Sequence, residues 1–217
     1  MLHDWRIDPS EYERHEQRRG RRHAFGHIDP ATSALVVVDM IPFFVETNLY
    51  AAGIVAHIDR LATAVRAGGG LVAWVVPAAT KPTERDIEFF GAEVAALYSS
   101  TSVGAEIPNR VWRGLHTDAA DLFVEKTMRG ALFPGSSDLH ERLQAFGIDT
   151  VLICGVAADV CCESTVREAH GLDYRVVMVA DANAAVSDTA LNAALRTVYR
   201  SFGDVRPTDD VIAALSS

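Results

Sequence analysis

Apolar positions along this chain fall into short continuous runs, separated by longer stretches in which apolar residues recur at helical spacing. The runs at 34–39, 71–76, 122–126, 150–154 and 175–180 are rich in valine, leucine and isoleucine. Runs of that length without polar alternation read as strands buried on both faces, as in a parallel sheet covered on each side. Between them, 51–67, 137–146, 159–170 and 188–202 carry helix-length patterns, and Gly68, Gly69, Gly70 and Gly147 stand as C-terminal stops. From Ser33 onward the alternation predicts an α/β fold, three layers deep, with a central parallel sheet flanked by helices, within a single domain placed at 29–217. No internal repeat, low-complexity linker or second domain is visible in the pattern.

Two segments depart from it. Residues 1–28 form a polar arm in which Asp8, Pro9, Ser10 and Glu11 read as a helix start: Asp as cap, Pro in the first turn, Glu three residues beyond the cap. Arg18, Arg19, Arg21 and Arg22 make the only basic cluster, which solvates the arm or pairs with an acidic surface, for instance that of a second subunit. His23 and His27 stand four apart, a metal-like spacing on a helix. Gly26 lies between them and no third ligand is evident, so no metal is expected. The second departure is 77–117, the least regular stretch, with a short helix expected over 87–98 and a loop at 99–102. Long irregular connections are often lids or binding loops. Its aromatics Phe89, Phe90, Tyr98 and Trp112 either wall a pocket or subunit interface or pack beneath the loop.

Composition narrows the function class. A length of 217 residues suits one ordinary domain with a substantial core. With 49% hydrophobic and 23% charged residues the chain reads as a soluble globular protein. A formal net charge of −9 argues against nucleic acid or an anionic membrane as partner. No apolar run reaches the roughly 18–20 residues of a spanning helix, and the charged N-terminus lacks the apolar core of a signal peptide. Three cysteines, two of them the adjacent Cys161 and Cys162, are poorly suited to a structural bridge. A reducing, cytoplasmic setting is therefore expected.

The chemistry concentrates in VLICGVAADVCCEST at 151–165. An apolar run ends at Gly155, a turn follows, and Cys161 arrives where a helix should begin. Unpaired N–H groups and the dipole at such a position favour the thiolate. The plainer alternative is that Cys154, Cys161 and Cys162 are small buried hydrophobes. Asp39 and Lys126 each end another strand candidate. In open parallel sheets ligands sit outside the carboxyl ends of the strands, so all three residues should gather at one rim. A thiol, an acid that takes its proton and a fixed cation form an acyl-transfer site. Singly, each has an ordinary explanation, Asp39 as a turn cap and Lys126 as a solvated strand end.

These residues, in this order, resemble the isochorismatase-like cysteine hydrolases from about Asp29 to the C-terminus. The carriers are ALVVVDM at 34–40 with Phe44 beyond it, VEK at 124–126 followed by ALF at 131–133, and CGVAADVCCEST at 154–165. The resemblance implies the isochorismatase-like, Rossmann-like fold, with Cys161 as nucleophile, Asp39 as general base and acid, and Lys126 orienting both. It also implies a cis Val156–Ala157 peptide that turns the backbone N–H groups of Ala157 and Cys161 toward the substrate oxygen. No cofactor is implied, the substrate would be a small-molecule amide, and the protein would be a homo-oligomer, dimer or tetramer. Phe44, Trp112, Arg129 and Phe133 are candidate substrate contacts, Arg129 as a fork-shaped donor to a substrate carboxylate.

The chain departs from the family pattern at Ile41, commonly Gln, and at Ala158, commonly Thr or Ser. Nicotinamidases of the family place metal-binding histidines in the region of 77–82; here there is none, and His116 is the only histidine of the irregular stretch. The expected reaction is cleavage of the C–N bond of a small carboxamide or ureido compound through a thioester. The rivals are an isochorismatase-type vinyl-ether hydrolysis, which needs Asp39 and Lys126 but no thiol, and an inactive ligand-binding relative.

Overall fold

All five apolar runs form strands. The computed structural model describes residues 1–100 and 105–216, with the backbone alone at 99 and 100. In chain order its elements are α1 (Pro9–Arg19), β1 (Ser33–Val38), α2 (Pro42–Thr47), α3 (Leu49–Gly53), α4 (Val55–Ala67), β2 (Leu71–Pro77), α5 (Glu84–Phe90) and α6 (Ala92–Ser100). There follow β3 (Leu122–Lys126), α7 (Leu139–Ala145), β4 (Thr150–Val156), a π-helical turn (Ala158–Cys162), α8 (Glu163–Gly171), β5 (Arg175–Ala184), α9 (Asp188–Ser201), β6 (Asp204–Arg206) and α10 (Thr208–Leu215).

The sheet is six-stranded and parallel throughout, in the order β3-β2-β1-β4-β5-β6. β1 and β4 are buried along their whole length because alternate residues feed two separate cores. Ala34, Val36 and Val38 face one side with Val151 and Ile153, where they meet Leu143 of α7, Val166 of α8 and Leu195 of α9. Leu35 and Val37 face the other with Leu152 and Cys154, against Ile58 and Leu61 of α4 and Val211 of α10. The continuous apolar spelling of these strands thus reflects two covered faces. The chain reverses its direction of progress across the sheet between β1 and β4, the place where such folds open a crevice.

Several expectations are revised. The helix expected over 51–67 is two helices, α3 and α4, preceded by the unforeseen α2. A single helix over 87–98 is instead α5 and α6, broken at Gly91, whose φ of 81° lies in the left-handed region. Of the loop expected at 99–102, positions 99 and 100 belong to α6, while 101 and 102 lie outside the described residues. β6 and α10 were not expected; β6 has only three residues, two of them charged.

The polar arm is tied down within the chain. Asp8 caps α1 by accepting from the Ser10 N–H at 2.9 Å, but Glu11 does not complete a capping box. It is buried and meets Arg14, Arg196 and Arg200 at 3.6, 3.3 and 3.3 Å. Tyr12 packs edge-on against Tyr199 of α9. His23, a candidate metal ligand, sits 3.1 Å from the buried Asp204, and Arg22 pairs with Glu16 at 3.0 Å. Among the described residues no helix is long and apolar enough to cross a membrane.

Candidate active site

Asp39, Lys126 and Cys161 meet beyond the carboxyl ends of β1, β3 and β4. Asp39 follows β1 directly and adopts a left-handed φ of 54°, a conformation that Asp tolerates better than most residues. Its N–H donates to the Val75 carbonyl at 2.8 Å, and its own carbonyl accepts from Ile41 at 2.9 Å, so the chain turns sharply into α2. Gly155, the penultimate residue of β4, has φ 120°, and a Cβ there would lie 2.1 Å from the Val38 carbonyl oxygen. Only glycine lets β4 approach β1 this closely. The Val156–Ala157 peptide that follows is cis.

Lys126 holds the three groups together. Its Nζ lies 2.9 Å from Asp39 Oδ2, 3.2 Å from the Met128 carbonyl and 3.6 Å from Cys161 Sγ. An ammonium has three donors, and all three are directed. Asp39, Lys126 and Cys161 are 1%, 4% and 6% exposed, so the charges act with little screening. Asp39 Oδ1 has no hydrogen-bond partner by distance and angle among the described residues.

Burial governs the protonation of this trio. It raises Asp39 above the ordinary carboxylate range, although Lys126 pulls in the opposite direction. For Lys126, burial alone would lower the pKa, but the neighbouring Asp39 and Cys161 outweigh it and hold the ammonium above its usual value. The Cys161 thiol is pushed up to about 12, by burial first and by Asp39 second. This reverses the expectation of a thiolate favoured by a helix N-terminus. Cys161 sits inside the π turn ahead of α8, where Val160 and Cys162 both donate to the Ala157 carbonyl at 3.1 Å. Burial and the neighbouring carboxylate both favour the thiol over the thiolate. Cys162 and Cys154 are also pushed up by burial, and they sit in opposite cores.

A cavity of about 430 Å³ opens above the trio. Phe44, Phe90, Tyr98, Met128, Arg85 and Arg129 are among the residues that wall it. Two of the expected contacts are elsewhere. Trp112 is not part of the wall: its N–H donates to the Met40 carbonyl at 2.7 Å and its ring packs at the edge of the second core. Phe133 is also outside it and is 50% exposed. Phe89, on α5 beside Phe90, is 79% exposed. Ile41 and Ala158, the departures from the family pattern, are both buried in the cores and do not line the cavity. His116 pairs with Asp59 at 2.9 Å, away from the trio.

Other residues also shape the site: Thr165, the last residue of the 154–165 motif, and Glu168, which no motif singled out. Thr165 Oγ1 donates to the Cys161 carbonyl at 2.8 Å and accepts from the Ala131 N–H at 3.1 Å. Glu168 accepts from the Leu132 N–H at 2.9 Å. α8 therefore binds both the nucleophile turn and the loop after β3. Arg85 and Met128 were likewise unforeseen, because neither a surface arginine nor a methionine announces a cavity wall.

An isochorismatase domain model matches residues 33–210, and the chain belongs to the isochorismatase family. A cysteine hydrolase from Pseudomonas syringae pv. phaseolicola 1448A superposes with a TM-score of 0.75 and 28% identity, covering 87% of this chain and 94% of that one. A probable inactive nicotinamidase of Arabidopsis thaliana is 34% identical over 166 residues, 71% of this chain and 82% of the relative. A ureidoacrylate amidohydrolase from Variovorax paradoxus (strain S110) is 28% identical over 215 residues, 85% of this chain and 81% of the relative. Members of this family are hydrolases, and some are amidohydrolases.

Proposed function

We propose that the protein is a thiol-dependent amidohydrolase that cleaves the C–N bond of a small carboxamide or ureido compound through a thioester. The observation that carries this is the buried cluster of Asp39, Lys126 and Cys161 on the floor of an open cavity. The relationship to a ureidoacrylate amidohydrolase supports the bond type.

In this reading Asp39 removes the Cys161 proton as sulfur attacks the carbonyl carbon, forming the S–C bond. The developing oxyanion is received by the backbone N–H groups of Ala157 and Cys161 at the cis turn. A preorganised donor of this kind is worth about 3–4 kcal/mol in other enzymes. Asp39 then passes the proton to the leaving nitrogen as the C–N bond breaks. Water attacks the thioester, losing its proton to the same carboxylate, and that proton returns to sulfur as the acid product departs. Lys126 keeps the carboxylate in place and offsets the charge on sulfur while it lasts.

An ammonia-release screen against small amides and ureido acids, with Cys161→Ala alongside, tests the proposal. Release by the wild type that vanishes in the variant supports it; release that survives in the variant would sink the covalent route. The kinship with a plant relative named as probably inactive makes a ligand-binding role the second reading. Binding without turnover of any compound in the same screen would favour it.

A further inference from the structure

The charge of the cavity runs against the charge of the chain. Asp39 and Lys126 compensate each other on the floor, and Arg85, Asp86 and Arg129 stand in the wall above. Three cations thus face two carboxylates in a protein of net charge −9. Asp86 is committed: its Oδ2 accepts from the Thr83 N–H at 2.9 Å and from Thr83 Oγ1 at 2.7 Å, capping α5. Neither arginine has a hydrogen bond or an ion pair among the described residues, so no described carboxylate occupies their donors.

Arg129 is held in a particular way. Its guanidinium lies 5.1 Å from the Phe90 ring centre and 5.5 Å from that of Tyr98. Contacts with ring faces steady a guanidinium without consuming its N–H donors. What remains is a planar fork of the shape that grips a carboxylate by two parallel bonds.

The backbone beneath that fork is fixed relative to the nucleophile. Lys126 Nζ bonds the Met128 carbonyl at 3.2 Å, Ser136 Oγ bonds the Gly130 carbonyl at 2.6 Å, and Thr165 links Ala131 to the Cys161 carbonyl. Gly130 has no room for a side chain, since a Cβ would lie 1.9 Å from the Glu168 carboxylate. The loop bearing Arg129 and the turn bearing Cys161 are therefore one assembly.

We propose that Arg129, backed by Phe90 and Tyr98, receives a carboxylate of the substrate, so that the substrate class is an anionic amide: a ureido or carboxamido acid. Its scissile carbonyl rests at Cys161 and its carboxylate lies at the cavity mouth, with Arg85 adding to the positive field. The inference rests on the hydrolase reading only for which end of the molecule reacts.

The test uses the full chain carrying Cys161→Ala, so that binding is read without turnover. 3-Ureidopropionate and its neutral amide are titrated by calorimetry at low salt. The acid should bind about ten- to a hundredfold tighter, the size of a charge-assisted hydrogen bond, and the preference should shrink as salt is added. Adding Arg129→Gln should abolish the preference, while Arg113→Gln, whose side chain lies over Trp112 outside the cavity, should retain it. Equal binding of the two compounds, binding of neither, or a preference that survives Arg129→Gln would overturn the proposal. A preference that holds while the wild type hydrolyses neither compound would instead overturn the hydrolase reading and leave the anion site standing.

Discussion

The floor of the cavity and its wall are built on opposite principles. Each floor residue ends a strand or lies in the turn after one, and Asp39, Lys126 and Cys161 are almost wholly buried. Their positions are consequences of sheet register and of two packed cores. The wall residues Arg85, Phe90, Tyr98 and Arg129 stand on two short helices and a loop, and all but Phe90 are exposed. A reacting group must be placed within a fraction of an ångström, which only a close-packed interior supplies. A substrate-reading group tolerates looser placement and can change without disturbing the fold. Under the proposed mechanism, the reaction belongs to the strands, and the choice of substrate to what lies above them.

The largest effect that would break this division comes from the floor. Asp39→Asn keeps the shape but removes the base, and should lower kcat/KM by about 10⁴-fold or more, with an unchanged thermal melt. Retention of a tenth of the activity would mean that another group takes the thiol proton. The wild-type pH profile sharpens the same point. Asp39 must be ionised to act, and burial raises its pKa. Activity should therefore fall with acid through a limb lying above the usual carboxylate value of about 4.

Lys126→Met comes next, measured as stability. It leaves a buried carboxylate without its cation, which costs about 3–5 kcal/mol where such pairs are broken. The sign with pH follows from the folded pKa of Asp39, which is raised and rises further without Lys126. Stability is then favoured at low pH, where the carboxyl is neutral in both states, and is lost as pH rises through the folded value. Urea melts at neutral and mildly acidic pH should show a smaller deficit in acid. A deficit equal at both would show that the orphaned charge is not its cause.

Gly155→Ala probes the approach of β4 to β1. The positive φ and the 2.1 Å contact with the Val38 carbonyl both oppose a methyl group. A loss exceeding about 1 kcal/mol is expected, together with reduced turnover, because Val38 leads directly into Asp39. Reduced stability with full activity would show that the turn at Asp39 adjusts independently of the strand.

This division also explains what the sequence disclosed. Asp39, Lys126 and Cys161 were legible because each ends or follows an apolar run, and the sheet rule converts a strand end into a location. The cis peptide was not legible from composition or spacing and entered only through the family resemblance. For Cys161 two influences oppose each other: a helix start favours a thiolate, while burial beside a carboxylate pushes the thiol pKa up. Above the floor, aromatic spelling did not distinguish Phe90 and Tyr98, which wall the cavity, from Trp112, which does not. That difference depends on how α5 and α6 break at Gly91, a tertiary detail. β6 escaped notice because two of its three residues are charged, and their partners, His23 and the backbone of the arm, lie some 180 positions away.

The smallest expected effect completes the comparison. Phe133 was a candidate contact, yet it is half exposed and lies outside the cavity wall, although it shares the loop with Arg129. Its backbone carries its structural role, since the carbonyl accepts from the Ser136 N–H at 2.8 Å. Phe133→Ser preserves that bond and should shift stability by no more than about 0.5 kcal/mol, leaving kcat and KM within error of the wild type. A severalfold rise in KM would place Phe133 in the path of the substrate. The loop as a whole, and not Arg129 alone, would then read what enters.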